Sequence, residues 1–159
     1  MSLWFMLLCA ASVIAYAAIG GVLLAFSDFI MRSFDRVRGQ GGIEAMQVIN
    51  VEIMRSVFMV LSMGMVPVSV TIVIYAVLNL DGLQQILLML AGGSYLIGVV
   101  AVTVIGNVPL NTQLAALDAG EAGQFWKETY MTRWVSLNSL RTIACMLASG
   151  LALAALIVR

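Results

Sequence analysis

The stretch SVFMVLSMGMVPVSVTIVIYAVLN, from Ser56 to Asn79, decides the fold: 24 consecutive residues contain no Lys, Arg, Asp or Glu. As a helix rising about 1.5 Å per residue it reaches across a bilayer core of about 30 Å. Three further apolar runs flank it, at approximately 3–26, 83–106 and 137–158, the last of them interrupted by one charge, Arg141. Four such runs in 159 residues leave little chain for anything else, so the expected fold is one all-α integral membrane domain, residues 1–159, built as a four-helix bundle.

Composition agrees. The chain is 62% hydrophobic and 10% charged, with a mean hydropathy of +1.05, so its charges are too few to clothe a water-soluble core. Eight Lys and Arg balance eight Asp and Glu, which removes the basic excess of a nucleic-acid binder. There is no histidine and there are two cysteines. The imidazole ligands of most zinc, haem, copper and non-haem iron sites are therefore lacking, and no metal or other cofactor is expected. Cys9 and Cys145 lie inside apolar runs at different depths, where thiols act as small hydrophobes and where no disulfide is expected.

The first run has no basic segment ahead of it and exceeds a signal-peptide core in length, so it is read as a retained span with Met1 as its start. Arg32, Arg36, Arg38, Arg55, Lys127 and Arg133 all fall in the two long connections, whereas Arg159 stands alone on the other side. By the positive-inside rule both long connections are cytoplasmic and both termini outside. Together with a simple composition read as bacterial, this gives the cytoplasmic (inner) membrane as the expected location. Amphipathic cytoplasmic helical extensions are expected before the second and fourth spans, the earlier starting after Gly41-Gly42. Ala17, Gly21 and Ala25, and again Ala144, Ala148 and Ala152, recur every four residues, a spacing that lets helices approach closely. Pro67 should bend the second span, and Gly92, Gly93 and Gly98 mark either close packing or a cavity wall.

Polar residues gather at one depth. Asp28 and Arg32 close the first span, Glu52 and Arg55 precede the second, Asn107 and Asn111 end the third, and Asn138 and Arg141 enter the fourth. Gln47 and Asn50 share a face of the helix ahead of the second span. Trp126, Tyr130, Trp134, Asn138 and Arg141 follow at intervals of four, four, four and three, within a helical sector of roughly 120°. Two readings are open: an interfacial aromatic belt with a snorkelling arginine, or a stripe facing a ligand inside the bundle. The acids also allow two readings. Asp28 with Arg32 and Glu52 with Arg55 have the spacing of intrahelical ion pairs, and either carboxylate, desolvated at the membrane boundary, could accept a proton.

Four segments, Phe26-Ser-Asp-Phe-Ile-Met31, Gly42-Ile-Glu-Ala-Met-Gln-Val-Ile-Asn50, Asn107-Val-Pro-Leu-Asn111 and Trp126 through Arg141, occur in this order between correctly placed spans. In this the chain resembles the anthrone-oxygenase-like family of small four-helix membrane proteins, over nearly its whole length. The resemblance implies cofactor-free oxidation of an anthrone-type enolate, the chemistry by which fungal relatives convert anthrones to anthraquinones. On that reading Trp126, Tyr130 and Trp134 stack on a flat aromatic ligand and Arg141 with Asn138 stabilises its oxygens. Glu52 or Asp28 takes the proton, and Asn107, Asn111, Gln47 and Asn50 complete the binding site. The competing reading is non-catalytic: a small helical subunit or lipid-binding partner of a larger membrane complex, or a homo-oligomer, with the polar layer as interhelical glue. A transporter is the third reading, weakened by the lack of inverted repeats and of charge at mid-membrane depth. Convergence of the fourth-span stripe and the asparagines on a cavity separates the first reading from the second.

Overall fold

The computed structural model describes residues 1–118 and 120–158, and among these the regular elements are helices, with no strand. In chain order they are α1 (Leu3–Arg36), α2 (Gly41–Glu52), α3 (Val57–Asn79), α4 (Gly82–Ala115) and α5 (Ala122–Ile157). α1, α3, α4 and α5 are long and apolar enough to cross a membrane. Arg159, counted above on the outer side, lies outside the described residues.

The spans run further than their apolar cores. α1 and α4 have 34 residues each and α5 has 36, roughly 50 Å of helix where about 30 Å would cross the hydrocarbon. The polar residues that close the apolar runs do not stop the helices, because each helix keeps an apolar face beyond them. The consequence is an up-down-up-down bundle with both termini at one end and helical extensions of α1, α4 and α5 at the other. α2 packs among those extensions. α3 is shorter because it starts afresh at Ser56, whose extended backbone and side chain, accepting from the Met59 N–H at 3.2 Å, form an N-cap.

The interior is a column of three clusters. Near the termini, Phe5, Cys9, Ile72, Ala76, Leu88 and Ala155 pack together. At mid-height, Tyr16, Leu23, Met65, Tyr95, Val99, Cys145 and Ala148 do so, with a 2.7 Å hydrogen bond between the Tyr16 hydroxyl and Ser69. In the extended end, Met31, Ile43, Met46, Leu110, Leu114, Trp126, Tyr130 and Trp134 form a third core. Cys9 and Cys145 thus sit in different clusters, both as free thiols.

Ala144, Ala148 and Ala152 are buried. The matching stripe on α1 is a correction: Ala17 and Gly21 are exposed, and nothing stands within 4 Å of where a Gly21 Cβ would be. The face of α1 that meets the bundle is instead Cys9, Ser12, Tyr16, Ile19, Gly20 and Leu23, with Gly20 packed so closely on α5 that a Cβ there would stand 3.0 Å from the Cys145 Cβ. Four-residue spacing identifies a stripe without saying which neighbour it meets. Gly92 and Gly98 resolve as close packing, the first against the Ser69 carbonyl and the second against Ala144, while Gly93 is open. α3 continues through Pro67.

Four wide π turns interrupt the α-helical hydrogen bonding: Phe26–Ile30 in α1, Leu96–Ala101 and Thr103–Asn107 in α4, and Trp126–Tyr130 in α5. Each inserts extra residues per turn and re-aims the side chains around it, a feature frequent at functional sites. Three of them lie in the half of the bundle away from the termini, and Leu96–Ala101 lies at mid-height, where Val99 joins the middle cluster.

The return of the chain from α1 to α2 depends on Gly39, at φ +68°, and on Gly42, where a Cβ would collide with the Phe34 carbonyl. Backbone cannot yield as a side-chain tip does. Gly42→Ala is therefore expected to displace α2 and lower stability in detergent by about 1–3 kcal/mol, read as a fall of several degrees in melting temperature. Gly64→Ala, which meets nothing within 4 Å, should leave it unchanged.

Candidate ligand cavity

Between the middle and extended cores lies a cavity of about 370 Å³. Its walls come from all five helices: Leu23 and Phe26 of α1, Met46 and Ile49 of α2, Phe58 and Met59 of α3, Tyr95 and Val99 of α4, and Trp134 of α5. The size is that of a site for a drug-sized molecule, and the lining is predominantly apolar with a few placed polar groups, as such sites usually are.

The polar groups centre on Arg141. Its side chain is 9% exposed and forms part of the cavity wall. One terminal nitrogen donates to the Thr103 hydroxyl at 3.0 Å and the other to the Asn138 carbonyl oxygen. The guanidinium carbon lies 5.7 Å from the centroid of the Trp134 ring, in cation–π range. Asn138 is itself fixed, its amide donating to the Leu23 carbonyl and to Ser27, each at 2.6 Å. The network therefore ties α1, α4 and α5 together beneath the cavity. All of Arg141's partners are neutral. Among the described residues the one ion pair is Asp28–Arg32 at 3.1 Å, on the exposed surface.

Asn111 organises the aromatic wall: its side-chain oxygen accepts from the Tyr130 hydroxyl and from the Trp134 indole, both at 2.8 Å. The Asn107 amide donates to the Trp134 carbonyl at 3.3 Å. Gln47 donates to the carbonyls of Leu114 and Leu117 at 2.8 and 2.9 Å, holding α2 over the end of α4.

Among the described residues four buried side-chain atoms have no hydrogen-bond partner: Asn50 Nδ2, Ser62 Oγ, Asn107 Oδ1 and Arg141 Nε. All four belong to residues that line this cavity. Unpaired buried polar atoms are costly in a native fold, and here they gather around one space.

The expected site residues divide. Gln47, Asn50, Asn107, Asn111, Trp134, Asn138 and Arg141 line the cavity. Trp126 and Tyr130 do not; they stack on each other at 5.3 Å inside the extended core, where the Trp126 indole donates to Asp35 at 3.1 Å. The stripe on α5 faces inward along its whole length, Trp126 and Arg141 included, so the belt reading gives way: the outer part of the stripe is core, the inner part cavity wall. Asp28 and Glu52 are exposed and stand outside the cavity. Asp28 is held in its ion pair by Arg32. Glu52 lies six residues past Met46 and nine past Ile43, on the side of α2 opposite its buried face. The sequence reading missed Thr103, Ser62, Tyr95 and the phenylalanines. Thr103 was legible, since it precedes Asn107 by four and Asn111 by eight on the same helix; Ser62 carried no signal.

Among the described residues no three Cys, Asp or Glu side chains gather at one point. The arrangement defines a class: a small membrane four-helix bundle with an apolar cavity that opens at its surface and has one cationic group, Arg141, in its wall. The family model described as anthrone oxygenase matches residues 53–151, more than half of the chain, and the chain belongs to that family. The matched segment carries Thr103, Asn107, Asn111, Trp134, Asn138 and Arg141, and leaves out α1 and α2. Comparisons with curated proteins and with solved structures gave no match.

Proposed function

We propose that the cavity binds a flat, hydrophobic aromatic ketone of the anthrone type and that the protein promotes its oxidation by dioxygen without a resident metal or organic cofactor. One observation carries the reading: an apolar, aromatic-lined space whose polar groups converge on Arg141. Trp134, Phe26 and Phe58 offer faces for the rings, and the Arg141 guanidinium, whose Nε is unpaired, offers hydrogen bonds to the ketone oxygen. Loss of one methylene proton to water makes an enolate whose negative charge rests on that oxygen, where placed donors stabilise it most. The enolate transfers electrons to dioxygen, a carbon–oxygen bond forms, and the protonated peroxide loses water. The methylene thereby becomes a second carbonyl, one dioxygen is consumed and one water released. Trp126 and Tyr130 serve this site by supporting Trp134, and Asp28 and Glu52 have no part in it.

We place the extended end of the bundle in the cytoplasm and both termini outside, supported by the six basic residues that the fold gathers at that end. The hydrophobic ligand and the surrounding lipid are then the principal partners.

The test is turnover of anthrone by the full chain in detergent treated with chelator, followed by quinone absorption and oxygen uptake. Acceleration over empty micelles with one dioxygen consumed per quinone is expected. No acceleration, with no binding of the ketone, overturns the reading in favour of a non-catalytic helical subunit.

A further inference from the structure

We propose that the cavity takes its ligand in ionised form: a flat, apolar enol or phenol bound as its oxyanion, with the Arg141 guanidinium as counter-ion. This rests on the cavity as a site for an oxygen-bearing aromatic, and not on the oxidation.

The argument is one of unmatched charge. A guanidinium has five N–H donors, and two of Arg141's are used, on Thr103 and Asn138, both uncharged acceptors. The remaining three, including the unpaired Nε, are left at the wall of an apolar space. Such a charge in a membrane bundle ordinarily pairs with an acid, yet none of the chain's Asp or Glu residues lines the cavity. Nor does another element supply one. The side chains that α1, α2 and α3 present to the cavity carry no charge, and the titratable groups near Arg141 are the Tyr95 and Tyr130 phenols and the Cys145 thiol, uncharged in their ordinary protonated forms. The missing partner is an anion, and the apolar walls require the rest of it to be hydrophobic. Because a carboxylate base is absent from the cavity, the cation itself supplies the driving force for ionisation: it lowers the pKa of a ligand hydroxyl, and the proton departs to water. Asn50 Nδ2 and the Ser62 hydroxyl are the other unpaired donors on the wall, and either can add a neutral hydrogen bond to a ligand oxygen.

The probe is 2-hydroxyanthraquinone, which changes colour on ionisation and has no methylene to oxidise, beside anthraquinone, which cannot ionise. Absorbance is titrated against pH with the full chain in detergent and with empty micelles. The bound phenol is expected to titrate about one to three pH units below its micellar value. Its affinity should rise about tenfold per unit as pH increases from the bound to the free pKa and then level off, while anthraquinone affinity stays flat. Arg141→Gln should abolish the shift and Arg141→Lys should retain most of it. A probe that binds with its micellar pKa, an equal shift in Arg141→Gln, or no binding overturns the proposal; if the Gln variant does not fold, the wild-type shift alone decides. Ionised binding without anthrone oxidation would refute only the proposed function, and anthrone oxidation with a neutral bound probe would refute only this inference.

Discussion

Arg141→Lys is expected to keep the fold and lose about 10²- to 10³-fold in anthrone turnover, the usual consequence of removing one donor from an oxyanion site. Lysine preserves the positive charge, and so much of the ionisation of the ligand, but replaces a planar fork with a single ammonium. Arginine reaches Thr103 and Asn138 with its two terminal nitrogens at once and keeps its plane near the Trp134 ring. One ammonium cannot hold both partners and also face a ligand oxygen in a fixed direction. Melting temperature in detergent and turnover are measured on the same preparation. A variant as stable and as active as the wild type removes Arg141 from the site. Lowered stability with normal turnover would make it a structural tie between α4 and α5.

The fold was legible because lipid is an unforgiving solvent: a run such as 56–79 has few alternatives to a spanning helix. The helices' true ends were less so. Arg32 and Arg36, and likewise Lys127 and Arg133, mark where apolar composition stops, but a helix continues wherever one face still has something to pack against. Met31, Leu110, Leu114 and Trp126 supply that face here. The site was legible in half for a related reason. Spacing at 126, 130, 134, 138 and 141 establishes which side chains share a face of α5, but a snorkelling arginine satisfies that spacing as well as an inward one; the burial of all five side chains turns the face inward. Spacing cannot say where along the stripe packing ends and empty space begins. That is decided by α2, which lies over the end of α4 through Gln47, and by the π turns, which shift the helical phase without a recognisable sequence signal. The acids were misplaced by the same limit: Glu52 has the right depth and the wrong azimuth.

The largest stability effect is expected at Asn111, a residue easily taken for a ligand contact alone. Its side-chain oxygen is the acceptor for two donors, the Tyr130 hydroxyl and the Trp134 indole N–H, on side chains 0% and 5% exposed. Asn111→Leu is close in size and suits the apolar surroundings, yet it leaves both donors buried without a partner. At about 1–3 kcal/mol for each unsatisfied group, the loss should approach 2–5 kcal/mol, measured by denaturation in detergent. Tyr130→Phe removes one of those donors beforehand. The double variant should therefore be more stable than the sum of the two single changes predicts, by about 1–2 kcal/mol, the coupling expected of residues in one hydrogen-bonded network. Strict additivity would mean that Asn111 and Tyr130 do not share this bond. The Trp134 ring stands beside Arg141 partly because Asn111 holds its indole, so the same substitution should weaken binding of a flat aromatic in the fraction that remains folded. Loss of stability with unchanged ligand affinity would show that Trp134 keeps its place without Asn111, and that the wall of the cavity is set by packing in the extended core rather than by the asparagine.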